Sequence, residues 1–324
     1  MIKMFNHKDI VASVSQSGKK GSDHMATETS VTPPSGATAR EAFTTNSVIS
    51  RDGVAISYRQ TGHGPGVVIL HGAMETSASH MQLATALSGS YTVYAPDRRG
   101  RGLSGPAGAD YSMRKEVEDL DALLTQTGAE YVMGVSAGGL ILLQAALDLP
   151  AIRKAALFEP ALLMDRVKAA AFLARLDRDL ARGNLAAALV TAMKGAEMGP
   201  PIFNAMPNWL LERLTAMMMA SEDKKAQPGD VTMRMLAPTL RQDFQLVAEM
   251  SGASERFRAI RAEALLLGGS KSPAYLRAGL DALQIALPQA PRVEFPGLDH
   301  GATGPTDRGG KPERVAPDLA RFFA

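Results

Sequence analysis

The stretch Tyr131-Val132-Met133-Gly134-Val135-Ser136-Ala137-Gly138-Gly139-Leu140-Ile141-Leu142-Leu143 decides how the rest of the chain is read. Its first five residues are a short apolar run, which suits a strand buried on both faces. The residues from 138 to 147 read as an apolar helix. At the junction lies Gly134-Val135-Ser136-Ala137-Gly138, the G-x-S-x-G spacing of a nucleophile elbow. A chain that turns sharply from strand into helix strains the residue at the corner, and flanking glycines remove side chains that would clash there. The serine hydroxyl then stands exposed above the strand end, near the positive pole of the helix. Five residues alone are a weak pattern; a strand before them and a helix after them supply the context that the pattern requires.

The same rhythm extends in both directions. Segments 47–50 and 54–59 flank Arg51-Asp52-Gly53, which predicts a hairpin. Gly66–Leu70 is a second continuous apolar run, and a helix over 77–87 and a strand over 91–95 follow. Apolar Val117, Leu120, Leu123 and Leu124 fall at helical spacing, which predicts an amphipathic helix over Met113–Thr127. Lys154–Phe158 predicts the next strand. From 161 to 257 the chain reads as almost wholly helical and methionine-rich. Strand 264–267, helix 274–287, strand Arg292–Phe295 and helix 315–323 then resume the pattern. Strands alternating with helices imply an α/β fold with a mostly parallel sheet covered on both faces. The expected division is a core of 45–160 and 258–324, with 161–257 inserted as a helical cap. Residues 1–44 read as a polar leader without periodicity, in which Gly21-Ser22-Asp23-His24-Met25 resembles an expression scar.

Two further loops carry chemistry. His71-Gly72-Ala73-Met74 follows the Gly66–Leu70 strand, beside the elbow. The N–H groups of Ala73 and Ala137 are the expected oxyanion hole, while His71 itself is expected to be structural. Leu298-Asp299-His300-Gly301 follows the last strand, where a histidine reaches the top of the sheet. His300 is therefore the expected general base, in the chain order serine, acid, histidine.

With these motifs in place, the chain resembles the α/β-hydrolase superfamily over roughly residues 45–324. The resemblance rests on His71-Gly72, on Asp97-Arg98-Arg99-Gly100-Arg101-Gly102-Leu103-Ser104, on the Ser136 elbow and on Asp299-His300-Gly301. It implies a Ser-His-acid triad, no cofactor, and a helical lid after the sixth strand. It also implies that Asp97 and the arginines after it brace the sheet. One position departs from the family pattern. The loop after the seventh strand, Gly268-Gly269-Ser270-Lys271-Ser272-Pro273, holds no carboxylate, and Ser272 stands where an aspartate is usual. A carboxylate is still needed to fix the imidazole tautomer and to stabilise imidazolium. Glu159, directly after the sixth strand, is the preferred replacement; Asp299 and Asp281 are the weaker ones.

Composition narrows the partners. The absence of cysteine removes disulfides, thiolate metal sites and cysteine nucleophiles, and fits a reducing, cytoplasmic setting. With 35 basic and 33 acidic residues and no basic stripe, no nucleic-acid partner is expected. No apolar run is long enough to cross a bilayer, so no membrane association is expected, and there is no secretory signal pattern. The four histidines outside the leader show no metal-ligand spacing. The expected partner is a small-molecule substrate, with a homodimer left open. Met74, Phe203 and Trp209 are candidate substrate contacts, because methionine and aromatic side chains line adaptable apolar pockets.

The expected chemistry is hydrolysis of an ester or lactone of a largely apolar small molecule through a Ser136 acyl-enzyme. A serine at the elbow argues against the superfamily's aspartate-dependent epoxide hydrolases and dehalogenases. Carbon–carbon bond hydrolysis, perhydrolysis and biosynthetic cyclisation use the same triad and stay open. So does a non-catalytic ligand-binding protein of the same fold.

Overall fold

The side chains of Gly66–Leu70 alternate between two cores: Val67 and Ile69 point into one and Val68 and Leu70 into the other. A strand buried on both faces has no polar face, which is why its sequence reads as an unbroken apolar run. The computed structural model describes residues 43–163, 165–198, 202–227, 229–252 and 254–324. The expected 1–44 leader thus lies almost entirely outside the described residues.

The strands are β1 (Thr44–Ile49), β2 (Ala55–Gly62), β3 (Gly66–Leu70), β4 (Thr92–Pro96), β5 (Tyr131–Val135), β6 (Lys154–Phe158), β7 (Glu263–Gly269) and β8 (Arg292–Phe295). They form one eight-stranded sheet in the order β1-β2-β4-β3-β5-β6-β7-β8. β2 runs antiparallel to both β1 and β4, and every later pairing is parallel. The α/β architecture predicted from sequence is present, and strands β3, β5, β6 and β8 occupy the predicted residues.

Eleven α-helices accompany the sheet among the described residues: α1 (Met81–Leu87), α2 (Met113–Thr127), α3 (Ala137–Asp148), α4 (Arg166–Ala181), α5 (Leu185–Gly195), α6 (Ile202–Ala205), α7 (Asn208–Lys225), α8 (Met233–Leu236), α9 (Leu240–Met250), α10 (Ala274–Ala286) and α11 (Pro312–Phe323). One sheet face is covered by α2, α3 and α10, the other by α1 and α11. Leu140, Ile141 and Leu142 are fully buried in α3, and side chains of this size each contribute about 1.5–3 kcal/mol when removed from water.

Between β6 and β7 the chain runs through α4 to α9. Among the described residues, this segment meets loops at the carboxyl edge of the sheet through Met74 and through Asp243. Met74, in the loop after β3, packs against the cluster of Leu176, Ala188, Ala192 and Leu240. Asp243 in α9 meets Arg98 and Arg101 from the loop after β4. The insertion is not uniform: Leu246, Val247 and Met250 of α9 are part of the main core. Among the described residues, no helix is long and apolar enough to cross a membrane.

Candidate active site

Ser136 occupies the corner between β5 and α3 with φ 53° and ψ −115°, a left-handed conformation that L side chains rarely adopt. The flanking glycines make the corner feasible. A Cβ on Gly134 would lie 2.6 Å from the Gly138 carbonyl oxygen, and one on Gly138 would lie 2.7 Å from that of His71. Ser136 N–H donates to Phe158 O at 3.0 Å and Ala161 N–H donates to Ser136 O at 3.2 Å. The elbow is therefore stitched to the turn that carries Glu159.

Glu159 is completely buried and also has positive φ, 44°. Its Oε1 accepts from the Gly269 N–H at 2.7 Å, and its Oε2 lies 2.7 Å from His300 Nδ1. A Cβ on Gly268 would come within 2.9 Å of Glu159 Oε1, so that glycine leaves the carboxylate its space. A nitrogen that faces a carboxylate carries the proton, which leaves His300 Nε2 as the acceptor in the neutral ring. Nε2 makes no hydrogen bond to Ser136 in this structure. The other carboxylates considered from sequence are engaged elsewhere. Asp299 accepts from the Gly301 N–H, and Asp281 pairs with Arg292 at 2.6 Å. Ser272 is buried, and its hydroxyl has no hydrogen-bond partner among the described residues.

Ala73 and Ala137 flank the elbow from β3 and α3. Among the described residues, neither N–H has a protein acceptor, as the first turn of a helix leads one to expect for Ala137. His71 is fully buried. Its Nδ1 donates to Gly72 O at 2.9 Å and its Nε2 accepts from the Arg98 N–H at 3.1 Å. Burial and the nearby Arg101 and Arg98 charges hold its pKa well below the ordinary histidine value, so it stays a neutral strut. Asp97 braces the edge in the same manner, accepting from Ser77 N–H at 2.7 Å and Leu103 N–H at 3.0 Å.

The three candidate substrate contacts are placed differently. Met74 (half-buried, in the loop after β3) faces the α4–α5 cluster, and Phe203 is half-buried in α6. Trp209 is 65% exposed on α7. That helix turns Leu211, Thr215 and Met219 inward at four-residue spacing, and position 209 lies off this stripe, on the outer face.

Sequence reasoning passed over three polar residues that the fold brings to the site. Glu75 Oε2 accepts from the Gly72 N–H at 2.7 Å and pairs with His80 Nε2 at 3.1 Å; His80 Nδ1 donates to Thr303 O at 3.2 Å. Asp243 Oδ1 holds Arg98 at 2.8 Å and Arg101 at 2.7 Å. His80 heading a short apolar helix and Asp243 within an amphipathic one gave no motif to notice. No group of three or more His, Cys, Asp or Glu among the described residues is arranged to hold a metal.

Comparison with known proteins places these features in a wider group. A model of the alpha/beta hydrolase family matches residues 67–318. The crystal structure of an alpha/beta hydrolase from Sphaerobacter thermophilus is 31% identical, with a TM-score of 0.69 covering 86% of this chain and 100% of that one. A thermophilic esterase from Thermogutta terrifontis has a TM-score of 0.65 over 86% of this chain and 98% of its own, at 17% identity, a likeness of fold alone. The cis-3-alkyl-4-alkyloxetan-2-one decarboxylase of Shewanella oneidensis is 35% identical over 79 residues, 24% of this chain and 25% of that protein. The chain thus spans about a quarter of that curated relative.

Proposed function

This chain belongs to the alpha/beta hydrolase family, and from that premise we propose that it is a serine hydrolase that cleaves an ester or lactone of a largely apolar small molecule. The observation that carries this reading is the 2.7 Å contact between buried Glu159 and His300 Nδ1, reached from the strand next to the one that presents Ser136.

Ser136 is the nucleophile, His300 the general base and Glu159 the acid of the triad. The Glu159 anion keeps the His300 proton on Nδ1, so Nε2 takes the proton of the Ser136 hydroxyl as Oγ attacks the carbonyl carbon. The bond to Ser136 is not preformed; such bonds tighten only once substrate is bound. The Ala73 and Ala137 N–H groups receive the oxyanion, a duty that suits two donors with no competing protein acceptor. His300 then protonates the leaving alcohol, and water activated by the same imidazole releases the acid. The segment 161–257 acts as a cap, with Met74 and Phe203 as apolar contacts for the acyl group. The Shewanella relative's name gives an oxetan-2-one, a four-membered lactone, as its substrate but decarboxylation as its reaction, so it bears on the substrate class alone.

The experiment is turnover of a panel of short and medium acyl p-nitrophenyl esters and small lactones by the wild type and by Ser136→Ala. Cleavage by the wild type and a loss of about a million-fold in Ser136→Ala is the expected outcome. No cleavage of any member, or undiminished cleavage by Ser136→Ala, would overturn the reading.

A further inference from the structure

The loop after β3 carries a second histidine–carboxylate pair that the triad does not use. Met74 holds a left-handed φ of 56°, which folds Glu75 back until its Oε2 accepts from the Gly72 N–H. The point where a Gly72 Cβ would stand is 3.1 Å from Glu75 Oε2 and 3.1 Å from Ser136 Cβ. The carboxylate and the nucleophile therefore flank the same glycine. The Glu75 side chain keeps 26% of its exposure although protein surrounds it, as expected for the wall of a cleft.

Hydrogen-bond geometry assigns the charges. His80 Nε2 faces a carboxylate and His80 Nδ1 faces the Thr303 carbonyl. Both partners only accept, so both ring nitrogens donate and His80 is an imidazolium. The directions of the two pKa shifts agree: the Glu75 charge raises that of His80, and His80 lowers that of Glu75 to about 2. The pair is thus ionised and neutral overall. It leaves one acceptor, Glu75 Oε1, which has no protein donor among the described residues.

We infer that Glu75 Oε1 is a specificity-determining contact that accepts a hydrogen bond from a hydroxyl on the acyl part of the substrate, carried by the carbon two bonds from the scissile carbonyl carbon. This inference rests on the ester-hydrolase reading above. A hydroxyl is favoured over an ammonium group because the His80 cation already neutralises the carboxylate.

The test compares p-nitrophenyl esters of butyric, 3-hydroxybutyric, 3-methoxybutyric and 3-aminobutyric acids, read as ratios of kcat/KM. The hydroxy ester should exceed the plain ester by about tenfold to a hundredfold, the range of a charge-assisted hydrogen bond. The methoxy ester, which cannot donate, should not share the advantage. In Glu75→Gln and Glu75→Ala the hydroxy-to-plain ratio should fall towards one. The inference is overturned if the wild type shows no hydroxyl preference while cleaving these esters through Ser136. An aminobutyryl ester that outruns the hydroxy ester overturns it too, as does a preference that persists in both variants. Should no ester be cleaved, the serine-hydrolase reading fails separately. Calorimetric binding of 3-hydroxybutyramide against butyramide then decides the contact: tighter binding of the hydroxylated amide, lost in Glu75→Gln, supports it, and equal binding overturns it.

Discussion

Glu159 Oε2 stands 2.7 Å from His300 Nδ1, and the carboxylate belongs to the turn after the sixth strand, not the seventh. The glutamate is wholly buried, and its other oxygen is held by the Gly269 N–H. It is therefore fixed at both ends before any substrate arrives.

Removing that charge while keeping the shape isolates its role. Glu159→Gln should lower kcat on a cleaved ester by about ten-thousand-fold, the scale seen when the acid of a serine triad becomes an amide. Ser272→Ala should leave turnover near the wild-type value and should not lower Tm, because its buried hydroxyl has no partner to lose among the described residues. Both variants can be assayed in one steady-state series with thermal denaturation beside it. Little effect in Glu159→Gln would place the acid elsewhere.

The elbow tolerates no side chain at Gly138. A Cβ there would meet the backbone carbonyl oxygens of Leu70 and His71, which cannot rotate away as a side chain would. Gly138→Ala should reduce both the denaturant midpoint and ester turnover, with the loss of activity exceeding that explained by the unfolded fraction. Full activity in this variant would contradict the strained corner.

Asp243 couples α9 to the loop after β4 through two buried arginines, Arg98 and Arg101. Breaking a buried ion pair from one side leaves charge uncompensated and costs about 3–5 kcal/mol. Asp243→Asn should therefore lower the urea midpoint markedly. A variant as stable as the wild type would mean that water or relaxation compensates the arginines. Glu116, at 2.7 Å from Arg98, continues to neutralise part of that cluster in the variant.

The Glu75–His80 pair predicts a pH dependence with a defined sign. The folded Glu75 pKa lies below its ordinary 4.5, so its contribution to stability is present above pH 4.5 and is lost as pH falls towards about 2. The folded His80 pKa lies above its ordinary 6.5, so its contribution is full below pH 6.5 and is lost as pH rises through the folded value. The Tm difference between wild type and His80→Gln should be largest between pH 4.5 and 6.5 and should shrink at higher pH. A difference that grows steadily with pH would contradict the imidazolium assignment.

The sequence by itself determined the alternation of strand and helix, the elbow at Ser136 and a histidine in the last loop at 300. These features are short in range. Side-chain period reports which faces are buried, as in Gly66–Leu70, and a glycine-flanked serine between strand and helix reports a steric requirement within five residues. Sequence already prefers Glu159 over Asp299 and Asp281 as the acid for His300, from the family resemblance and its place after the sixth strand; only the tertiary structure set that contact and brought the other charges together. Glu159 and His300 are 141 positions apart, Arg98 and Asp243 are 145 apart, and His80 and Thr303 are 223 apart. No local period encodes such pairs, because a buried polar group is satisfied by whatever partner the packed loops bring to it. For the same reason Glu75 carried no signal in the sequence: its place beside Ser136 comes from the left-handed turn at Met74 and from the strand order that sets β3 against β5.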